Sequence, residues 1–366
     1  MHKHEEFFIR RAVRRGGSTL PPRPAPGVAL LGPAVACVLV ALTSSPAQAD
    51  TATQVPPGDT EPESGVHGSG VSVAVQATPT DVSVEVDGAA DPDSDLDREA
   101  LRYVALGDSF TAGPLVPSPH GSPALCLRST NNYPALVAEA LDVDEVDDVS
   151  CASATTEHMF EPQRLTLGQN DPQLDALTED TDLVTLGIGG NDLGFADVVR
   201  TCSTRSALDP HGDPCRSHFE ESDGGDELTQ RVPEVGTAVA EVLDAITERS
   251  PHATVAVVGY LRILPEEEGC WPREPIAAGD VGYLDGIQTA LNDELDQVAT
   301  AAGARFVDVA ERGHDICQSP GDKWVEGFGV TSPAAPVHPN AAGMEAVAHR
   351  VTAAVEAPLN AGSPRG

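Results

Sequence analysis

Apolar runs and helical periods alternate along the chain from Leu101 onward. Five short runs have the length and β-branched content of buried strands: Tyr103 to Leu106, Val146 to Val149, Leu183 to Leu186, Val255 to Val258 and Phe306 to Val309. Four longer stretches carry the apolar spacing of helices: Tyr133 to Leu141, Val232 to Glu248, Val281 to Ala302 and Ala341 to Val355. This alternation predicts a parallel sheet that is covered by helices on both faces.

A sheet of this kind places its functional site at the carboxyl ends of the strands. We therefore expect the segments that follow the predicted strands to carry the chemistry. The polar stretch 201–226, which holds Cys202 and Cys215, is predicted to be a long insertion loop. Together with residues 114–130, it is expected to set the depth of any substrate pocket.

The N-terminal part of the chain lies outside the alternating pattern. Several arginines precede a 15-residue apolar run, Val28 to Leu42, which is followed by Ala47-Gln48-Ala49. This order predicts a secretory signal peptide over residues 1–49; the alternative is an uncleaved membrane anchor, for which the run is short. Residues 50–98 are rich in Asp, Pro, Gly, Ser and Thr and are predicted to be an acidic flexible linker or pro-segment. The globular domain then covers residues 99–358, and residues 359–366 form a disordered tail.

The chain is strongly acidic, with 57 Asp and Glu against 22 Lys and Arg and a net charge of −35. Removing the predicted signal peptide, with its six basic and two acidic residues, changes the net charge to −39. Lysine occurs only at Lys3 and Lys323. Such a charge disfavours nucleic acids and anionic membranes as partners. We expect a secreted protein with no stable membrane span after signal cleavage.

Cysteine usage also favours an oxidising compartment. Six of the seven cysteines follow the predicted cleavage site, an even number that suits three disulfides. Their order along the chain leaves fifteen pairings open. Neither a Cys-x-x-Cys pair nor a cluster of His and carboxylate residues has the spacing of metal ligands, so we expect no metal and no cofactor.

Three short motifs stand where the predicted strands and the last helix meet their loops. The first strand leads into Gly107-Asp108-Ser109-Phe110, and a serine hydroxyl just past a strand end is well placed for a nucleophile. The third leads into Gly187-Ile188-Gly189-Gly190-Asn191-Asp192, where the Asn191 amide can donate to an oxyanion. His338 precedes the last predicted helix and is a candidate general base. Read alone, it would be assigned as a structural or surface histidine.

In this order the three motifs resemble blocks I, III and V of the SGNH (GDSL) hydrolase family. The segments Ser129 to Pro134, Ser150 to Thr156 and Gly259-Tyr260 are similar to the secreted actinobacterial lipase and esterase branch of that family. The resemblance covers about residues 101–357. It implies a three-layer α/β/α fold with a five-stranded, mostly parallel sheet.

The resemblance also implies site residues. Ser109 would be the nucleophile and His338 the base, and the oxyanion hole would consist of the Ser109 N–H, the Ser153 N–H and the Asn191 amide. Ser153 stands where the family has glycine, and its N–H keeps that role if its φ is negative. Asp108 is expected to brace the turn around Ser109, as Asp192 is expected to support Asn191.

A second departure concerns the histidine. Block V of the family has an aspartate three residues before the histidine, and this chain has Ala335 there. We therefore expect a Ser-His dyad in which the main-chain carbonyl of Ala335 or Pro336 accepts the Nδ1–H of the imidazole. The alternative is that Asp315 or Asp322 folds in as a substitute carboxylate.

The implied function is a secreted serine ester hydrolase. It would cleave carboxylic esters of lipids or acyl glycerols through an acyl-enzyme, acting as a monomer on a small-molecule or lipid ester. The branch also implies sequential disulfides, Cys126 with Cys151, Cys202 with Cys215 and Cys270 with Cys317. Two other readings stay open: a carbohydrate acetylesterase of the same fold, or a non-catalytic cell-surface binding protein. Trp271 and Trp324 either line a substrate pocket or belong to the core.

Overall fold

The computed structural model describes residues 101–143, 145–220 and 225–361. The predicted signal peptide (1–49) and the predicted linker (50–98) lie outside the described residues, and so do residues 362–366 of the predicted tail. No helix within the described ranges is long and apolar enough to cross a membrane.

A five-stranded parallel sheet forms the centre of the globular domain. The strands of the described residues are, in chain order, β1 (Arg102–Gly107), β2 (Glu145–Asp148), β3 (Gln163–Arg164), β4 (Gln169–Asn170), β5 (Leu183–Gly187), β6 (Thr254–Val258) and β7 (Arg305–Val307). The sheet has the order β2-β1-β5-β6-β7, and every pairing in it is parallel. β3 and β4 form a separate antiparallel pair. All five predicted strands are present.

Helices cover both faces of the sheet. Those of the described residues are α1 (Ser109–Ala112), α2 (Tyr133–Ala140), α3 (Glu157–Phe160), α4 (Gly190–Leu193), α5 (Phe195–Ser206), α6 (Pro214–Glu220), α7 (Glu227–Arg249), α8 (Val281–Ala301) and α9 (Ala341–Ala361), with 3-10 turns at Ala124–Cys126 and Gln173–Ala176. α2 packs against α9, and α7 packs against α8. The sheet and these two helical layers form the predicted three-layer α/β/α fold.

The central strands fix the place of the site. β5 is buried along its whole length because sheet neighbours flank it on both sides and helices cover its faces. The register of β1 and β5 sets Gly107 beside Gly187. The segments that follow these two glycines therefore start next to each other at the carboxyl edge of the sheet, as the sequence predicts.

The prediction of a long loop over 201–226 was wrong. α5 continues to Ser206, and α6 covers a further seven residues of the stretch. Cys202 of α5 and Cys215 of α6 lie at disulfide distance, and both are fully buried. Phe219 is also part of the core. Burial of these few apolar residues holds two helices in a stretch whose composition is otherwise polar.

The predicted end of the domain at residue 358 falls inside a helix. α9 runs to Ala361 and contains Pro358 in its last turns. The side chain of Leu359 packs against the hydrophobic core, which stabilises these turns despite the proline.

Candidate active site

Ser109 is the first residue of the short helix α1, directly after β1. Asp108 caps this helix, since its Oδ1 accepts the Phe110 N–H at 2.8 Å. The Asp108 N–H donates to the carbonyl of Gly187 at 2.9 Å, which ties the turn to β5. A side chain at position 107 would collide with Thr111, because a Cβ there would lie 2.2 Å from Thr111 Oγ1. Asp108 thus braces the turn as expected.

The structure brings His338 to Ser109 from a distant part of the chain. Its Nε2 lies 2.8 Å from Ser109 Oγ. Its Nδ1 lies 2.8 Å from the carbonyl oxygen of Pro336, one of the two expected acceptors. A carbonyl oxygen can only accept, so Nδ1 carries the proton and Nε2 is left to accept the serine hydroxyl.

The two aspartates that were weighed as substitutes have other partners. Asp315 accepts the N–H of Cys317 at 2.9 Å and the side-chain amide of Gln318 at 2.9 Å. Asp322 accepts the Ser319 hydroxyl at 2.6 Å. Neither carboxylate has a hydrogen bond to His338 among the bonds of the described residues.

A left-handed residue shapes the loop that carries His338. Val337 has a φ of 59°, which is unfavourable for a β-branched residue. Its N–H donates to the carbonyl of Glu326 at 3.0 Å, and the Glu326 N–H donates to the carbonyl of His338 at 2.9 Å. These bonds hold the bend that lets the Pro336 carbonyl reach the imidazole two residues later. The sequence carries no signal for this conformation.

Two aromatic rings surround the imidazole. The ring centroid of Phe110 lies 5.3 Å from that of His338, and Phe195 makes an edge contact with it at 5.8 Å. Loss of water around the ring lowers the pKa of His338 below 6.5, and the hydrogen bond to Pro336 only partly opposes this effect. The imidazole is therefore neutral at pH 7, which is the form that can accept a proton.

Asn191 lies in α4, after the turn that ends β5. Gly189 has a φ of 116°, a conformation that favours glycine. The Asn191 amide donates one hydrogen to the carbonyl of Ala154 at 2.9 Å, and its second hydrogen remains for another acceptor. Asp192, expected to support Asn191, instead accepts the N–H of Thr156 at 3.0 Å and its hydroxyl at 2.5 Å. It thereby ties α4 to the segment that contains Ser153.

Ser153 adopts a left-handed conformation with a φ of 66°, so the negative φ that was named as the condition for its role is not present. The Ala154 N–H donates to the carbonyl of Cys151 at 3.0 Å, closing a tight turn around this exposed serine. A turn of this kind needs a residue in the left-handed region, where glycine pays no steric cost and serine does. The backbone N–H of residue 153 is retained in either conformation.

An apolar cavity of about 890 Å³, including its open mouth, begins at Ser109. Its walls come from α4, α5, α8 and the loops after β6 and β7, with Leu193, Val198, Ile276, Ile287 and Phe328 among the lining side chains. Neither tryptophan is among the residues that line the cavity. Trp271 is 36% exposed, and the ring of Trp324 stacks on the ring of His314 with the centroids 3.7 Å apart. Of the two segments that were expected to set the depth of the pocket, 114–130 contributes no lining residue and 201–226 contributes only Cys202, because the lining residues are scattered along the chain.

The six cysteines of the domain lie at disulfide distance in sequential order, Cys126 with Cys151, Cys202 with Cys215 and Cys270 with Cys317. The first pair joins the segment after α1 to the segment that contains Ser153. Within the ranges that the structure describes, no three His, Cys, Asp or Glu side chains converge in a way that could hold a metal ion.

Comparison with known proteins relates this geometry to a family. The model of the GDSL-like lipase/acylhydrolase family matches residues 105–346. The chain belongs to this family. Lipase 2 of Streptomyces coelicolor is 40% identical over 249 residues, which are 66% of this chain and 82% of that protein. An esterase of Streptomyces scabiei is 34% identical over 238 residues, 56% of this chain and 69% of that protein.

Solved structures of the GDSL family share the fold. A phospholipase A1 from Streptomyces albidoflavus NA297 aligns with a TM-score of 0.59 at 28% identity, over 70% of this chain and all of that one. An extracellular lipase from Streptomyces rimosus aligns with a TM-score of 0.58, at the same identity and coverage. This GDSL-family protein is thus a carboxylic ester hydrolase of the actinobacterial lipase branch. Its departures from the family pattern are Ser153 and Ala335.

Proposed function

We propose that Ser109 and His338 are the catalytic dyad of this ester hydrolase, with the Pro336 carbonyl as the group that orients the imidazole. The observation that carries the proposal is the pair of 2.8 Å contacts, from His338 Nε2 to Ser109 Oγ and from Nδ1 to the Pro336 oxygen. A base that is held in the right tautomer and bonded to a hydroxyl is the arrangement that activates a serine.

Acylation follows from this arrangement. Ser109 Oγ attacks the acyl carbon while its proton moves to His338 Nε2, and the imidazolium keeps its Nδ1–H on the Pro336 carbonyl. The oxyanion accepts from the N–H groups of residues 109 and 153 and from the second amide hydrogen of Asn191. The bond to the alcohol then breaks, and His338 returns the proton to the leaving oxygen.

Deacylation runs the same steps with water. His338 takes a proton from the water molecule as its oxygen attacks the acyl carbon of the ester on Ser109. The second tetrahedral intermediate collapses, the Ser109 oxygen leaves with the proton from the imidazole, and the carboxylic acid is released.

The cavity favours an ester with a long apolar acyl chain. Most of its lining side chains are aliphatic or aromatic. Of the two amides among them, that of Asn191 lies at the proposed oxyanion site, and that of Gln288 is bonded to the main chain of Leu261 and Ile263. An acetyl group would leave most of this apolar surface in contact with water, so the carbohydrate acetylesterase is the weaker candidate.

Three points support secretion into an oxidising compartment, whereas the monomeric state stays a prediction. The predicted signal peptide precedes the domain, six cysteines lie in bonding pairs, and one relative of known structure is described as an extracellular lipase. The substrate is then met outside the cell. Nucleic acid is not a partner, because a net charge of −35 repels it.

Substitution of the nucleophile tests the proposal. Ser109→Ala should abolish hydrolysis of p-nitrophenyl esters while the fold remains, and a fluorophosphonate should add one adduct, at Ser109, to the unsubstituted protein. Ser203→Ala on α5, a serine bonded only to Arg200 of its own helix, is the matched control and should keep full activity. Labelling at another residue, or activity of the Ser109→Ala variant near that of the control, contradicts the dyad.

A series of p-nitrophenyl esters from acetyl to palmitoyl tests the acyl pocket. We expect kcat/KM to rise with chain length, because each buried methylene adds about 0.8 kcal/mol of binding. Ile287→Phe narrows the cavity and should lower the rate for the palmitoyl ester more than for the acetyl ester. A preference for acetyl in the unsubstituted protein favours the acetylesterase instead.

A further inference from the structure

The hydroxyl of Tyr260 lies between the two turns of the proposed site. Tyr260 follows β6, whereas the turns that carry Asp108 and Gly190 follow β1 and β5. The Gly190 N–H donates to the tyrosine oxygen at 2.7 Å, and the tyrosine O–H donates to Asp108 Oδ2 at 2.6 Å. One phenol thus joins the ends of three adjacent strands.

The direction of these bonds is fixed by the groups themselves. A backbone N–H can only donate, so the Tyr260 oxygen accepts from Gly190, and its single hydrogen must go to Asp108. The other carboxylate oxygen of Asp108 accepts the Phe110 N–H. Neither side chain can rotate without leaving a buried polar group unpaired, which costs about 1–3 kcal/mol.

Each end of this link is next to a residue of the proposed chemistry. Asp108 directly precedes Ser109, and Gly190 directly precedes Asn191. The oxyanion must lie between the donors of these two turns, so the separation of the turns decides whether all donors reach it. The Tyr260 hydroxyl is a side-chain bridge across that separation.

The protonation of Asp108 depends on the same link. Burial raises the pKa of Asp108 to about 7, the bonds from Tyr260 and Phe110 work against this rise, and the charge of Asp192 adds to it. Without the tyrosine O–H, the carboxylate would be harder to ionise. The hydroxyl therefore supports both the position and the charge of the residue before the nucleophile.

The ring of Tyr260 has a separate packing role. It makes an edge contact with Phe110, with centroids 5.1 Å apart, and a Cβ at position 190 would lie 3.0 Å from the phenol. The contact with Phe110 does not involve the hydroxyl hydrogen bonds. Tyr260→Phe therefore keeps the ring and removes only the bridge.

We infer that the Tyr260 hydroxyl is a positioning group for ester hydrolysis, which holds the turn of Ser109 and the turn of Asn191 at the separation that the oxyanion requires. This inference rests on the proposed roles of those two residues. Tyr260 also lines the cavity, but Tyr260→Phe keeps the ring there and removes only the bridge, so it should lower kcat and leave KM nearly unchanged.

Tyr103→Phe is a matched control. Tyr103 is as fully buried as Tyr260, and its hydroxyl also has a single side-chain partner, Thr185 Oγ1 at 2.8 Å. This pair joins β1 to β5 within the strands and touches neither turn. Removing the Tyr103 hydroxyl costs one buried hydrogen bond and removing the Tyr260 hydroxyl costs two, but only the bonds of Tyr260 lie at the site.

The experiment measures kcat and KM of both variants with a soluble ester, with each preparation normalised to the fraction that a fluorophosphonate labels. We expect Tyr260→Phe to lose about 10- to 100-fold in kcat, the scale of a small misplacement of reacting groups, with KM within about twofold. Tyr103→Phe should keep kcat within about twofold and should also lose thermal stability, because it too removes a buried hydrogen bond. Equal kcat values for the two variants would overturn the inference.

A second variant, Asp108→Asn, covers the case in which Tyr260→Phe folds poorly. Asp108→Asn leaves one acceptor oxygen where two are needed, so it breaks the same link from its other end. If the two residues act through one bridge, Asp108→Asn should lower kcat when tyrosine is at position 260 and cause little further loss when phenylalanine is there. Fully multiplicative losses contradict the bridge. Activity in Ser109→Ala, in contrast, would contradict the proposed dyad and not this link.

Discussion

The two sides of the site are held in different ways. The serine turn, residues 107–113, is tied to the sheet by buried long-range bonds, such as those from Asp108 to Gly187 and to Tyr260. The histidine loop, residues 331–340, is tied mainly to its near neighbours in the chain. Its main-chain bonds go to Trp324 and Glu326, and the one to Pro114 is a longer-range exception.

This difference bears on how the proposed dyad would work with Ala335 in place of an aspartate. The Pro336 carbonyl belongs to the same loop as His338, so the imidazole and its acceptor move together when the loop moves. The serine turn receives its order from the sheet, which no single loop residue controls. In the proposed dyad, the whole fold thus positions the nucleophile, and the backbone of the histidine loop orients the base.

The largest loss of activity is expected when either side chain of the Ser109–His338 pair, which joins the two regions, is removed. Ser109→Ala and His338→Ala should each lower kcat by about 10⁴-fold or more, and the double variant should be no worse than the poorer single one, because the two groups act as a unit. The measurement is single-turnover hydrolysis of a p-nitrophenyl ester. Multiplicative losses would show that the serine and the histidine act separately.

The second-largest loss of activity is expected when a donor to the oxyanion is removed. Asn191→Ala should lower kcat by about 10²- to 10³-fold with little change in KM, because one donor to the oxyanion is lost. Asn170→Ala is the control, since its amide also bonds a main-chain carbonyl, that of Val149, but lies outside the cavity. A loss that appears in KM alone would place Asn191 in substrate binding.

A buried ion pair lies next to the histidine loop, and breaking it should destabilise the loop. Lys323 Nζ lies 3.6 Å from Glu326, and both side chains are almost fully buried. Burial would raise the pKa of Glu326, but bonds from Asn340 and Thr331 and the charge of Lys323 outweigh it and hold the pKa below its usual value. Glu326 is therefore charged at neutral pH and balances the lysine.

Glu326→Gln should lower the free energy of unfolding by about 3–5 kcal/mol, because it leaves the lysine charge buried and unpaired. Urea unfolding measures this loss. Glu145→Gln breaks the exposed pair with Arg102 at the amino ends of β1 and β2 and should cost less than about 1 kcal/mol. A second substitution, Lys323→Met, should recover part of the loss in the Glu326→Gln background. Equal costs for the buried and the exposed pair would contradict this account.

The two regions should respond differently to pH, because the pKa shifts of their titratable groups have opposite directions. The pKa of Asp108 in the serine turn is raised to about 7, whereas the pKa of His338 is lowered. A base with a lowered pKa stays neutral as pH falls to 6.5 and becomes protonated only below that value. The acid limb of kcat/KM should therefore have its midpoint below pH 6.5 with a slope of one proton. A midpoint near 7 would assign the limb to Asp108.

Much of this arrangement could be predicted from local patterns. The strands follow from apolar runs, and motifs at strand ends must meet at one edge of a parallel sheet, which is how Ser109 and Asn191 come together. The position of His338 and the orienting carbonyl were expected from the resemblance and the missing aspartate. The expected acceptor is a main-chain carbonyl two or three residues before His338, and a contact over so few residues can be predicted from the sequence.

What could not be predicted depends on contacts between distant residues. The left-handed φ of Ser153 and Val337 is imposed by turns that the tertiary structure closes. The helical structure around Cys202 and Cys215 depends on burial that a polar composition hides. The hydrogen bond from Tyr260 to Asp108 joins residues that are 152 positions apart in the sequence, so no local sequence pattern predicts it.

The smallest effect is expected for the aspartates that do not touch His338. If the Pro336 carbonyl is the third member of the dyad, Asp315→Asn and Asp322→Asn should each leave kcat within a few-fold, because neither carboxylate bonds the imidazole. Asp315→Asn should instead lower stability, since Asp315 is 3% exposed and caps the Cys317 turn. The exposed bond from Ser319 to Asp322 should contribute little. Rates normalised to the fluorophosphonate-reactive fraction separate these effects from catalysis. A fall in kcat of about 10⁴-fold for either variant is the scale expected for loss of a triad aspartate. Such a fall would show that a carboxylate, and not only the backbone of the histidine loop, orients the base in solution.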